Sequence, residues 1–79
     1  MSRLPILTGL ELIKILEKIG FILVRQKGSH VFLKHQDNRT TIIPAHKGKD
    51  VDRSLLRKIL RDTKISPNEF KDILGKSKH

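Results

Sequence analysis

The residue best placed for chemistry is His30. It directly follows the Gly28-Ser29 pair, inside the cationic stretch Arg25-Gln26-Lys27-Gly28-Ser29-His30-Val31-Phe32-Leu33-Lys34. Imidazole as a group exchanges a proton near neutral pH. RNA carries its own nucleophile, the ribose 2′-OH beside each phosphate. Cleavage therefore needs only a general base, a general acid and cations around the charge that develops on phosphorus. His30 is the candidate base, and Arg25, Lys27 and Lys34 are candidate phosphate contacts. Ser29 is placed to hydrogen-bond the imidazole or a phosphate. The alternative for a histidine at a strand start is a purely structural one.

Of the other histidines, His46 follows the third predicted strand. In an antiparallel sheet its end meets the start of the second strand, so His46 and His30 are expected near each other. Acid–base partnership, contact with phosphate and capping of the loop are the roles open to it. Lys47 sits beside it in the basic loop Ala45-His46-Lys47-Gly48-Lys49. His35 reads as a surface residue at a strand end, and His79 as part of a frayed tail.

Other chemistries are poorly served. The chain has no cysteine, which removes disulfides, zinc thiolates and thiol nucleophiles. It lacks a Walker loop, a GxGxxG fingerprint and an HExxH pair. Its few carboxylates are scattered, which does not suit a two-metal nuclease centre. No cofactor or metal is expected. A formal charge of +9 on 79 residues favours a polyanionic partner, nucleic acid before an acidic protein or a membrane surface. The N-terminus lacks the apolar core of a signal peptide, and no run is long enough to span a bilayer. A cytoplasmic protein is expected.

These side chains need elements to hold them. Thr8-Gly9-Leu10-Glu11 has the form of a capping box. Leu12, Ile13, Ile15, Leu16 and Ile19 then form one stripe of a helix over about 9–19, which Gly20 is placed to end. Phe21–Gln26 is rich in strand formers. Across the Gly28-Ser29 turn, His30–His35 alternates. Val31 and Leu33 should face inward, leaving His30, Phe32 and Lys34 on an open face. Asp37-Asn38 turns the chain into a third strand at Thr40–Ile43, ended by Pro44.

Asp50 or Asp52 caps the next helix. There Leu55, Leu56, Ile59 and Leu60 form an apolar stripe, flanked by a cationic row of Arg53, Arg57, Arg61 and Lys64. Arg57 and Arg61 are candidate RNA contacts. Ser66-Pro67-Asn68-Glu69 opens a short last helix that Gly75 should stop. The expected architecture is α+β: an α-β-β-β-α order of the double-stranded-RNA-binding type. A three-stranded antiparallel sheet would carry its helices on one face, with a short C-terminal helix added. One domain is expected over 1–79, with its core at 8–65, the extra helix at 66–75 and a frayed end at 76–79.

Gly20-Phe21, the string Arg25-Gln26-Lys27-Gly28-Ser29-His30, the Pro44-Ala45-His46 segment and Leu55-Leu56-Arg57-Lys58-Ile59-Leu60 together resemble the HicA toxins of toxin–antitoxin systems. The resemblance covers about residues 8–65. It implies a small mRNA interferase that cleaves mRNA without a metal. It also implies a catalytic histidine at the position of His30, and a HicB-type antitoxin partner that covers the active site. Two other functions compete on the same residues. One is a non-catalytic module that binds double-stranded RNA by its shape. The other is a basic adaptor for an acidic protein. Binding of RNA without cleavage products marks the first of these, and indifference to RNA marks the second.

Overall fold

The computed structural model describes residues 4–77, with side chains through residue 75. Its elements run β1 (Leu7–Thr8), α1 (Gly9–Lys18), β2 (Phe21–Lys27), β3 (His30–His35), β4 (Thr40–Pro44), β5 (Asp50–Val51), α2 (Arg53–Thr63) and α3 (Pro67–Ser77). Strands β2, β3 and β4 make an antiparallel sheet in that order. The helices cover one of its faces, as the sequence pattern requires. The fold is the expected α+β arrangement of α-β-β-β-α with an added C-terminal helix.

Local chemistry explains each helix start. Glu11 donates its backbone N–H to Thr8 Oγ1 at 3.2 Å, and Thr8 N–H donates to Glu11 Oε1 at 2.9 Å. The same reciprocal pair joins Ser66 and Glu69 at the head of α3. For α2 the cap is Asp52, whose Oδ1 accepts from Leu55 N–H at 2.8 Å. Asp50 instead lies in β5, which pairs with β1 in a two-residue ribbon. The sequence reading missed that ribbon, since two residues are too few to show a period.

The core is built from the predicted stripes. Leu12, Ile13, Ile15 and Leu16 of α1 are buried, with Leu56, Ile59 and Leu60 of α2. From the sheet come Phe21, Val31, Leu33 and Ile43. Val31 and Leu33 face inward as expected, and His30 and Lys34 face out. The last helix is more than an appendage. Phe70 is fully buried in the same cluster, and Ile73 and Leu74 pack against it. The helix also runs past Gly75, which was expected to stop it, to Ser77. Of the tail read as frayed, Lys76 and Ser77 continue α3, and Lys78 and His79 lie outside the described residues.

One end of the sheet is laced tightly. The Arg39 guanidinium bonds the Asp37 carboxylate at 2.8 Å and donates to the Thr63 carbonyl at 2.6 Å. It also lies 5.2 Å from the centre of the Phe21 ring. His35 belongs to this network and is not the surface residue expected from sequence. Its side chain is 16% exposed, its Nε2 lies 3.1 Å from the Ile19 carbonyl, and its ring meets Phe21 edge-on at 5.0 Å. A strand-end histidine looks exposed in sequence because the helix end that folds over it is sixteen residues away. Gly20 makes room for it. A β-carbon there would sit 2.7 Å from His35 Nε2, on a backbone with φ of +105°.

Candidate nucleic-acid interface

The opposite end of the sheet carries the candidate chemistry. Lys27 pairs with His30 across a two-residue turn made by Gly28 and Ser29. Gly28 has φ of +59° and Ser29 does not share the positive sign, the pattern of a type II′ hairpin. Gln26 Nε2 donates to the Gly28 carbonyl at 3.0 Å and braces the turn. On the far side of β3, His30 pairs with Pro44. The His30 side chain is exposed, and no hydrogen bond to a described residue fixes its ring.

Strict alternation counted from the inward Phe21 would put Arg25 and Lys27 on the covered face. A β-bulge prevents this. Leu23 pairs with Leu33, Val24 is the extra residue, and Arg25 pairs with Phe32. The bulge resets the phase, so Arg25 and Lys27 join His30, Phe32 and Lys34 on the open face. Arg25 lies over the Phe32 ring, 4.9 Å from its centre, which fixes the guanidinium as a cation–π contact does. Phe32 is half-buried beneath it. β2, β3 and β4 contain no Asp or Glu, so nothing on this face offsets its positive charge.

Ser29 and His46 close the end of the sheet. Ser29 Oγ lies 3.0 Å from His46 Nε2, and the Ala45 N–H donates to the Ser29 carbonyl at 2.7 Å. Ser29 thus bonds an imidazole, that of His46 and not of its neighbour His30. Gly9, at the head of α1, backs directly onto the Pro44 carbonyl and Ala45, where a β-carbon would collide with the backbone. Lys47 follows in an exposed turn.

The structure therefore gathers Arg25, Lys27, Ser29, His30, Lys34 and His46 on one face and its end, with Lys47 adjoining. It does not bring Arg57 and Arg61 there. Both stand on α2, in the helical layer beneath the sheet, where they line a shallow groove with Leu60, Ile65 and Pro67. Among the described residues, no three His, Asp or Glu side chains come together as a metal would require.

An open-faced, cation-lined antiparallel sheet on a helical layer defines a small α+β domain of the double-stranded-RNA-binding type. The family profile described as HicA toxin of bacterial toxin–antitoxin matches residues 9–65, most of this domain, and the chain belongs to that toxin family. No curated protein matches the chain. The matched span includes the whole hairpin and the His46 loop but ends before α3. A toxin of this kind works against an antitoxin partner. Among the described residues, no helix is long and apolar enough to cross a membrane.

Proposed function

We propose that this toxin is an mRNA interferase, an endoribonuclease that inhibits translation by cutting messages. The observation that carries the reading is an exposed imidazole, His30, on a carboxylate-free sheet face, with Lys27 beside it on β2 and Arg25 and Lys34 further along the same face. His30 takes the proton from a ribose 2′-OH as O2′ attacks the adjacent phosphorus. The P–O5′ bond breaks, the 5′-oxygen collects a proton from water, and a 2′,3′-cyclic phosphate remains. Lys27 stabilises the charge on the phosphoryl oxygens, an electrostatic role of the largest kind in such reactions, and Arg25 and Lys34, further along the face, hold neighbouring phosphates. Ser29, His46 and Lys47 hold the neighbouring backbone. The nucleophile belongs to the substrate, so the step needs no metal.

Arg57 and Arg61 lie outside this surface and act through the field of the whole domain, which draws in a polyanion. The natural restraint on such an enzyme is a HicB-type antitoxin in the same cytoplasm. The test is total RNA incubated in EDTA with the wild type or with His30→Ala. The wild type is expected to produce fragments ending in cyclic phosphate, and the folded variant none. Equal cleavage by both would end the proposal. Salt-sensitive RNA binding with no fragments from either would favour the non-catalytic module.

A further inference from the structure

Strand β2 lies at the edge of its sheet, so half of its backbone N–H and C=O groups have no strand to pair with. Such edges recruit other chains unless they are guarded by charge, proline or a bulge. Here the guard covers only half the strand. Arg25 and Lys27 follow the bulge, but Ile22 and Leu23 before it and Val24 within it are 62%, 45% and 51% exposed. Three consecutive apolar residues on an open edge are unusual in a chain this charged. Beside them runs a shallow groove of about 490 Å³, lined by Gly20, Ile22, Val24, Lys34, His35 and other residues of the β3–β4 turn.

We infer that this edge is the docking site for an extended, acidic strand of the antitoxin, which adds to the sheet as a fourth strand. Strand addition draws affinity from main-chain hydrogen bonds and specificity from alternate side chains. On the open face those side chains meet Ile22 and Val24 first, then Arg25 and Lys27. Apolar residues followed by carboxylates are the complement. An RNA strand offers no β-pairing backbone and no apolar side chains for Ile22 and Val24. A second copy of this chain brings another +9 against the same cations. An added strand opposite Lys27 stands two strand spacings from His30, about 9–10 Å. It therefore neutralises the cations beside His30.

The inference rests on the antitoxin partnership described above, but not on RNA cleavage, and one set of NMR titrations separates the two. The probe is a ten-residue synthetic peptide alternating Val and Glu, added to 15N-labelled protein. The control peptide carries Lys in place of Glu. The expected result is movement of the Ile22–Val24 amides with the acidic peptide alone. Ile22→Thr with Val24→Thr, which keeps charge and strand propensity, should weaken binding at least tenfold and leave RNA cleavage as in the wild type. Three results would overturn it: no binding of the acidic peptide, equal binding by the double variant, or shifts confined to other elements. Dimerisation of the free protein through β2 would also overturn it. Loss of RNA cleavage by the wild type, with peptide binding intact, would refute only the nuclease reading.

Discussion

Ser29 Oγ lies 3.0 Å from His46 Nε2, across 17 residues of sequence. This contact, with the Ala45 N–H bond to the Ser29 carbonyl, ties the turn before His30 to the end of the third sheet strand. It fixes the backbone before His30 while leaving the His30 ring exposed. The pair is exposed, so its worth to the fold is at the low end for a hydrogen bond, about 0.5 kcal/mol. Its worth to the reaction is larger if His30 must be held in place. Ser29→Ala and His46→Ala should each leave the urea midpoint nearly unchanged and lower RNA cleavage about tenfold, roughly 1.4 kcal/mol of barrier. His46→Gln keeps a hydrogen-bonding group for Ser29 and should recover most of the rate. Failure of that rescue would assign His46 a proton-transfer role in place of a positioning one.

Phosphate contacts reveal themselves in salt. Each cation that displaces a counterion from single-stranded RNA contributes about 0.7 to the slope of log K against log salt. Arg25→Ala and Lys27→Ala should each lower the slope by about that amount, measured on the His30→Ala background to prevent cleavage. Arg57→Ala should leave it nearly unchanged, because α2 lies on the other side of the sheet. A large change with Arg57→Ala would mean that RNA wraps onto the helical layer.

The last helix should prove part of the fold although it lies beyond the family match. Phe70 is fully buried against the common core. Phe70→Ala should cost about 3–5 kcal/mol, a large share of the roughly 5–15 kcal/mol that holds a small domain together. Chemical denaturation followed by circular dichroism reads this directly. A loss under 1 kcal/mol would make α3 an accessory.

Stability should fall in acid through two exposed carboxylates. The Arg39 side chain, hydrogen-bonded to Asp37, holds that carboxyl below its ordinary 3.8. The Ser66 backbone N–H, and then its side chain, do the same for Glu69 below 4.5. A folded value below the unfolded one means that the folded state binds the proton less readily. The contribution is therefore complete above the ordinary values and is lost as pH falls through the folded ones. Urea midpoints should decline below about pH 4.5, and Asp37→Asn with Glu69→Gln should flatten that decline.

Much of this was legible before the fold was known. Both capping boxes, the α1 stripe and the inward Val31 and Leu33 follow from periods and local hydrogen bonding, which sequence displays. The open exposure of His30 followed from the same alternation. What escaped depends on contacts between distant residues. Alternation alone misplaces Arg25 and Lys27, because a bulge leaves no mark in residue type; the apolar Val24 looks like any strand residue. His35 misled because the Ile19 carbonyl that receives it comes from another element. The cationic row on α2 is real, but residue spacing does not tell which side of the molecule it occupies.

Arg39 gives the molecule an anchored pole and a loose one. A single planar cation stitches the β3–β4 turn to the end of α2 and lies over the aromatic ring that begins β2. The far tip, by contrast, is held by the Ser29–His46 contact, the Ala45 N–H and the Gln26 side chain. Variation in the Lys27–His30 turn and the His46 loop is therefore tolerated by the scaffold. Descendants of this chain can reshape the surface they present there without relearning how to fold.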